Sequence, residues 1–312
     1  MMTDLDKLSD FIENRLVQKY LLSYSEIVFI GIAKRNNSVD GDYVIRFAID
    51  NDRLDLNTIL RQDKELNKMA DFDVISKSRK FPKLIQLNAL SSTERHDPLR
   101  PGIEVLGVSK GAISAIVFKN QLAYVLSNAH ILGDKGSKVY QPDDHVHEPA
   151  ENEIGCVEES DGLLDCAISQ IAKRDYTQCI YNLDTTPLKA LPPEIGDSVM
   201  KYGLVSGRTL GIVRTIHAVV KKPFNRYVTN QFIVEPDPRH LPNGLEISVS
   251  GDSGAPWVKA DQYGNPSDVL VGIECGGDDS DIDENLKAEY AHATAMVSIQ
   301  KAFNVTLAKT NP

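Results

Sequence analysis

The sequence predicts a mostly β protein, built of antiparallel barrels or a sandwich, with a small α+β unit in front. After residue 102, short β-rich runs alternate with Gly, Asp and Pro turns, a spacing typical of antiparallel sheets. Before residue 95, helical and strand patterns are mixed instead. The polar stretch between the two parts, residues 91–102, contains two prolines and predicts a linker.

The N-terminal unit begins with an amphipathic segment. Apolar residues three to four positions apart over residues 4–20 predict a helix. Residues 54–70 predict further helix, and the strand-like runs are 27–33, 43–49 and 83–87. We expect this unit, residues 1–95, to fold as an α+β domain that could bind a regulatory partner or recruit substrate.

The C-terminal part carries most of the predicted strands. These are residues 115–118, 123–127, 166–171, 198–202, 211–220, 227–234, 255–258, 269–273 and 293–297. Residues 299–303 predict a short closing helix. The chain has 312 residues, and single cores stop growing at about 250 to 300 residues, so two or three domains are expected.

Composition and charge exclude several classes of function. The formal net charge of −10 argues against general affinity for nucleic acid or anionic membrane. No apolar run approaches the roughly 20 residues that span a bilayer. The first residues also lack the apolar core of a secretory signal. We therefore expect a cytoplasmic protein whose partners include neither nucleic acid nor membrane.

The chain has four cysteines, none in a C-x-x-C pair: Cys156, Cys166, Cys179 and Cys275. This pattern predicts reduced thiols. Zinc binding by His145, His147 and Cys156 is the alternative, but paired ligand spacing is missing. The acidic segment 278–284 lacks the glycine and the final glutamate of a calcium loop. We expect no metal and no cofactor.

The strongest chemical signal is the segment SGDSGAP around Ser253. A nucleophilic serine needs a tight turn, backbone N–H groups that converge on an oxyanion, and a base within reach. The glycines on both sides of Ser253 permit such a turn and a close backbone approach. By itself, the segment also suits an ordinary turn between strands.

Two further segments supply a base and an acid. In YVLSNAHIL, His130 follows the end of a β-run, and in GLLDCAI, Asp165 precedes an apolar strand. Each residue alone is more typical of a packed histidine or of an aspartate in a turn. Together with Ser253 they follow the chain order of chymotrypsin-like enzymes. The three motifs therefore predict a catalytic triad of His130, Asp165 and Ser253.

On these motifs the chain resembles the trypsin-like serine peptidases of the chymotrypsin fold, in their bacterial, unsecreted form. SNAH, LLDCAISQI, SGDSGAPWV and VLVGIECGG are similar to the family's histidine, aspartate, serine and cleft-strand segments. RPG at 100–102 and KYGLVSGRTLGIV at 201–213 resemble relatives of the rice narrow-leaf protein. No I-V-G-G-like segment follows a basic cleavage site. The resemblance therefore does not extend to activation by a freed amine that pairs with Asp252.

This resemblance implies two antiparallel six-stranded barrels after the N-terminal domain. The first would span residues 96–182 and carry His130 and Asp165. The second would span residues 183–312 and carry Ser253 and the closing helix.

The resemblance implies a serine endopeptidase that hydrolyses proteins or peptides through an acyl-enzyme. The backbone N–H groups of Gly251 and Ser253 would form the oxyanion hole. One alternative is a catalytically silent module that binds extended peptides. Another is an esterase, but the G-x-S-x-G elbow and its chain order are absent.

A substrate pocket is implied as well. The position six before the nucleophile lies at the pocket base in trypsin-like enzymes, and here it is the apolar Ile247. Cys275, Gly276 and Gly277 would belong to the wall strand. An apolar base favours an apolar or medium-sized residue before the scissile bond. Glu274 leaves an alternative open, because its carboxylate would favour Arg or Lys if it turned into the pocket.

Overall fold

The computed structural model describes residues 3–38, 40–50, 54–76, 94–142, 150–237, 247–277 and 290–309. Three predictions fall outside these ranges. They are the strand at 83–87, the ligand pair His145 and His147, and the acidic segment 278–284.

The N-terminal part forms the predicted helix and two of its predicted strands. Helix α1 (Asp4–Phe11) starts at a capping box, in which the Thr3 hydroxyl accepts from the Asp6 N–H and the Asp6 carboxylate accepts from the Thr3 N–H. It continues as a π-helix, Ile12–Leu21. The remaining elements are β1 (Ile27–Lys34), a 3₁₀ turn (Arg35–Asn37), β2 (Tyr43–Ile49), α2 (Leu56–Arg61), α3 (Leu66–Met69) and β3 (Phe72–Ser76).

The rest of the described chain is almost entirely strand. The first group is β4 (Glu104–Leu106), β5 (Lys110–Ala112), β6 (Ala115–Lys119), β7 (Leu122–Ser127), α4 (Ala129–Leu132), β8 (Lys138–Tyr140), β9 (Glu153–Asp161) and β10 (Cys166–Gln170). The second group is β11 (Lys189–Ala190), β12 (Ser198–Gly203), β13 (Gly207–Lys222), β14 (Arg226–Pro236), β15 (Pro256–Ala260), β16 (Pro266–Gly277), β17 (Ala291–Ala295) and α5 (Met296–Phe303).

These strands form two sheets. The first has seven strands in the order β5-β4-β8-β9-β10-β7-β6. The second has ten and runs β12-β15-β16-β17-β14-β13-β1-β2-β3, with β11 beside β16. Because β12 pairs with both β15 and β13, the second sheet curls round on itself. The mostly β class with a curled sheet is therefore confirmed, and the two six-stranded barrels stay a prediction.

The N-terminal strands continue the second sheet. Strand β1 pairs antiparallel with the later half of β13, placing Phe29 opposite Val220. One hydrophobic core extends from the helices and β1 to Val213 on β13 and Trp257 on β15. The domain boundaries at residues 95 and 182 stay predictions. None of the helices in the described part is long and apolar enough to cross a bilayer.

The shared core generates a stability prediction for Ile30, a fully buried residue of β1. Ile30→Ala should lower the free energy of unfolding by about 2–5 kcal/mol, because it removes buried methyl groups and leaves a cavity. Trp257 is the chain's one tryptophan, and its fluorescence in a urea titration reports on the second sheet. We expect the fluorescence and far-UV circular dichroism transitions to shift together.

The control is Leu122→Ala, since Leu122 is an exposed leucine and its change should stay within about 0.5 kcal/mol. A Trp257 transition that stays in place while the dichroism shifts would show that residues 1–95 unfold separately.

Candidate active site

His130 and Asp165 are brought together by two paired strands. Strands β7 and β10 are antiparallel and Ser127 lies opposite Ala167, so the segment after β7, which carries His130, and Asp165, which directly precedes β10, meet at one end of the sheet. Asp165 Oδ2 lies 2.7 Å from His130 Nδ1, and Asp165 Oδ1 accepts from the His130 backbone N–H at 3.1 Å. The imidazole is 42% exposed and the carboxylate 8% exposed. The acid is thus enclosed while the ring remains partly exposed to solvent.

The charge state of Asp165 fixes the imidazole tautomer. Burial alone would raise the pKa of Asp165, but the hydrogen bond from His130 and the charges of His130 and Lys222 outweigh it and hold that pKa below its ordinary range. An ionised carboxylate can only accept, so His130 Nδ1 carries the proton and donates. Nε2 of a neutral ring is then an acceptor that points away from Asp165.

Asp165 is also tied to the second sheet. Asn128 Nδ2 donates to the Asp165 carbonyl at 3.1 Å and lies 3.2 Å from Cys275 Sγ on β16. Thr294 Oγ1 on β17 donates to the Leu164 carbonyl at 2.7 Å. The position of the acid therefore depends on both sheets.

The turn that carries Ser253 lies against the first sheet. The Ala112 N–H at the end of β5 donates to the Ser253 carbonyl at 2.8 Å. Gly254 follows with φ of +87°, and a Cβ added there would lie 2.2 Å from the Ala112 carbonyl oxygen. Only glycine suits such a position, because it has no Cβ to clash and adopts positive φ at low cost. The second glycine of the G-D-S-G motif is therefore required by this contact between the sheets.

Asp252 is held inside the protein by Lys201. Lys201 Nζ on β12 lies 2.7 Å from Asp252 Oδ2, and both side chains are fully buried. The Val205 and Ser206 N–H groups donate to Asp252 Oδ1 at 2.9 and 3.1 Å. Burial would raise the pKa of Asp252, but the Lys201 ammonium holds it below its ordinary range. An internal lysine thus occupies the place that a freed N-terminal amine would take.

Several polar groups of the predicted triad and oxyanion hole have no hydrogen-bond partner among the described residues. They are Ser253 Oγ, His130 Nε2 and the backbone N–H groups of Gly251 and Ser253. The structure thus pairs His130 with Asp165 and does not form a Ser253–His130 hydrogen bond. Catalytic hydrogen bonds in unliganded enzymes are often long, so this separation is compatible with a triad.

Glu274 is the most deeply buried acid of the presumed pocket strand. Its carboxylate accepts from Ser248 Oγ at 2.8 Å, from Trp257 Nε1 at 2.6 Å and from the Gly276 N–H at 3.3 Å. Burial raises the pKa of Glu274 to about 7, against the opposing effect of the Lys201 ammonium. The Glu274 carboxyl therefore titrates near neutral pH.

The other pocket residues lie around this carboxyl. Ile247 is buried in the core shared with Trp257. A Cβ added to Gly277 would lie 3.1 Å from the Cβ of Ser248, so the two presumed walls touch. The assignment of these residues to a substrate pocket stays a prediction.

The four cysteines are free thiols. Cys275 lies 3.0 Å from Thr294 Oγ1, and burial raises the pKa of its thiol to about 12. Burial likewise raises the pKa of Cys166. Both stay protonated at neutral pH and act as packing residues rather than nucleophiles.

The fold is similar to solved structures of trypsin- and chymotrypsin-like bacterial serine proteases. Thermobifida fusca Protease A is 18% identical with a TM-score of 0.52, and the match covers 68% of this chain and 100% of that one. An alpha-lytic protease homolog, N4, is 19% identical with a TM-score of 0.52 and has the same coverage of both chains. The Nocardiopsis protease NAPase is 15% identical with a TM-score of 0.51, and the match covers 68% of this chain and 100% of that one.

No protein-family model and no curated protein matches the sequence. The structural similarities therefore show the fold, which is that of chymotrypsin-like serine proteases.

Lys201 is the residue whose role sequence reasoning missed. It stands in the apolar β-run of β12, and a lysine in such a run is a signal of a buried partner because an unpaired buried charge is costly. The sequence offered no support for a freed N-terminal amine as the partner of Asp252, and no other partner was predicted. Thr294 gives no comparable signal.

The buried pair generates a second stability prediction. Lys201→Met should lower the free energy of unfolding by about 3–5 kcal/mol, because it leaves Asp252 charged and unpaired in the interior. The double variant Lys201→Met/Asp252→Asn removes both charges and should lose less. Urea titrations of the three proteins measure this, and a loss below about 0.5 kcal/mol in Lys201→Met would show that the pair does not hold the turn.

Proposed function

We propose that the protein is a serine endopeptidase with Ser253 as nucleophile, His130 as general base and Asp165 as the residue that orients the base. The pair of contacts between Asp165 and His130, made beside the turn that carries Ser253, is the observation that supports this most. The chymotrypsin-like fold supports a protease at the level of architecture. The bacterial, unsecreted subgroup, cytoplasmic location and a regulatory partner of residues 1–95 remain parts of the proposal that rest on sequence.

The proposed reaction uses the polar atoms of the site that have no hydrogen-bond partner within the described chain. His130 Nε2 takes the proton of Ser253 Oγ as that oxygen attacks the scissile carbonyl carbon. The N–H groups of Gly251 and Ser253, which have no acceptor within the described chain, are available for the oxyanion. His130 then gives the proton to the departing amine, and water hydrolyses the acyl-enzyme.

A fluorophosphonate probe tests the nucleophile directly. Wild-type protein should be labelled and Ser253→Ala should not, while Ser250→Ala, a change in the same turn, should keep the label. Asp165→Asn should lower the labelling rate and kcat by about 10⁴-fold, because Nδ1 would lose its acceptor and the tautomer its control. Mass spectrometry of the labelled peptide locates the label, a time course of labelling gives its rate, and cleavage of a peptide substrate gives kcat.

A folded wild-type protein that takes up no label would contradict the peptidase assignment and favour the silent peptide-binding module. Label found on Ser250 instead of Ser253 would contradict the triad.

For the side chain before the scissile bond we propose Arg or Lys. The sequence favours an apolar pocket because of Ile247. The contacts of Glu274 support the alternative, a pocket for a basic side chain. Its carboxylate accepts hydrogen bonds from both predicted walls of the pocket, at Ser248 and at Gly276. A side chain that parted Ser248 from Gly277 would meet this carboxyl group.

This specificity should depend on pH with a definite sign. Glu274, whose pKa is raised to about 7, is protonated and neutral below that pH and charged above it. Selection of Arg and Lys in a peptide-library cleavage profile should therefore increase as the pH rises from 6 to 8, and Glu274→Gln should lose both the selection and its pH dependence. Selection of apolar residues that Glu274→Gln leaves unchanged would restore the pocket built on Ile247.

A further inference from the structure

Lys222 lies at the end of β13, beside the last residues of β16. Its Nζ donates to the Cys275 carbonyl at 3.2 Å and lies 3.2 Å from His292 Nε2. The pairing of β16 with β17 skips Cys275, since Glu274 lies opposite Ala293 and Gly276 opposite His292. This bulge leaves the Cys275 carbonyl outside the ladder and available to the lysine.

The His292 ring accepts from Lys222 as a neutral group. Gln231 Nε2 donates to Thr294 Oγ1 at 2.6 Å, which fixes the amide, and Gln231 Oε1 then accepts from His292 Nδ1 at 2.9 Å. With its proton on Nδ1, the ring presents the Nε2 lone pair to the ammonium. Both hydrogen-bond partners of Lys222 are therefore uncharged.

No carboxylate forms an ion pair with Lys222 in the described part of the chain. Three other buried or half-buried lysines each have one, in the pairs Lys201–Asp252, Lys119–Glu159 and Lys259–Asp197. The charge of Lys222 reaches Asp165 only at longer range, and both oxygens of that carboxylate are occupied by His130. Within the described residues, Lys222 is thus a half-buried ammonium whose charge no adjacent carboxylate neutralises, and these residues occupy only two of its three donors.

The surroundings of Lys222 suit an extended peptide. β15 pairs with β16 only as far as Ile273, and from Cys275 onward the described strands leave that edge of β16 unpaired. This open edge begins next to the turn of Ser253, because the Gly254 N–H donates to the Glu274 carbonyl. Lys222 Nζ lies 3.7 Å from the point where a Cβ on Gly276 would stand. A peptide that added to this edge would carry its side chains past the ammonium.

We propose that Lys222 forms a cationic subsite that binds an Asp or Glu side chain of the substrate, a few residues from the scissile bond on the side that pairs with residues 275–277. That the bound peptide is a substrate rests on the proposed peptidase function, whereas peptide binding at this edge does not require cleavage. A charge-assisted hydrogen bond to a carboxylate is roughly twice as strong as a neutral one, and partial burial reduces its screening. We expect an acidic peptide to bind at least about tenfold more tightly than its amide analogue.

Binding to the Ser253→Ala protein tests the subsite without catalysis. A random octapeptide library is incubated with immobilised Ser253→Ala protein, and the bound peptides are sequenced by mass spectrometry. Asp and Glu should be enriched over Asn and Gln at one position. Fluorescence anisotropy then compares an enriched peptide with its Asn or Gln analogue, and the difference should shrink as salt is raised.

Variants at residues 221 and 222 assign the effect. Lys222→Met should abolish the acidic preference, Lys222→Arg should keep it, and Lys222→Glu should reverse it in favour of basic peptides. The matched control is Lys221→Met, which removes the same charge from the neighbouring position, where Nζ donates to the Tyr24 carbonyl. It should leave the preference intact.

Absence of acidic enrichment in Ser253→Ala, or a preference that Lys222→Met leaves unchanged, would overturn the subsite. Fluorophosphonate labelling of the wild type decides the peptidase separately. Labelled protein without acidic preference contradicts only the subsite, and unlabelled protein that binds acidic peptides through Lys222 contradicts only the peptidase.

Discussion

The contact on which the proposed site depends most is the buried ion pair between Lys201 and Asp252. Both charged groups are withdrawn from water, and such a pair is stable only when hydrogen bonds satisfy its remaining atoms. Here the Val205, Ser206 and Val249 N–H groups supply them to Asp252. The turn is thus fixed through a side chain that points inward, while the N–H groups of Gly251 and Ser253, on either side of Asp252, have no acceptor among the described residues. A lysine within the sheet can do this as soon as the chain folds, with no cleavage to release an amine.

A second constraint is that neither sheet can build the site alone. The first sheet provides His130 and Asp165, yet the Asp165 carbonyl and its neighbour Leu164 are bound by groups that also contact β16 and β17. The second sheet provides the Ser253 turn, yet the Ser253 carbonyl is bound by Ala112 of the first. Each half therefore positions the reactive group of the other. Any change that separates the sheets would disturb the nucleophile and the base together.

The local sequence pattern was sufficient to predict where most strands lie. It does not predict which distant strands pair with each other. The alternation of β-runs and turns located most strands within a few residues, and β2 agrees with its prediction at both ends. Strand β9 was missed because EIGCVEESD carries acids on its exposed and half-buried positions and has little β-rich character. The predicted strand 293–297 ends earlier because α5 begins at Met296. The pairing of β1 with β13 joins residues almost two hundred positions apart, and no local signal specifies such a partner. A similar limit applies to Lys201: its place in an apolar run signals a buried partner, but the partner, Asp252, lies in a turn 51 positions further along the chain.

The charged groups of the two proposed subsites, Glu274 and Lys222, lie at different depths. Glu274 is fully enclosed and shares the field of Lys201 with Asp252, so two carboxyl groups face one buried ammonium and one of them titrates near neutrality. Lys222, at the end of β13, is only half-buried and lies beside the last residues of β16. A peptide along β16 would therefore meet a positive group at the rim and a carboxyl group inside. Opposite charges at different depths discriminate by position as well as by sign, because a side chain of the wrong sign would have to be desolvated beside a like charge. We therefore expect the two proposed subsites together to favour peptides that carry an acidic side chain at some distance from a basic one.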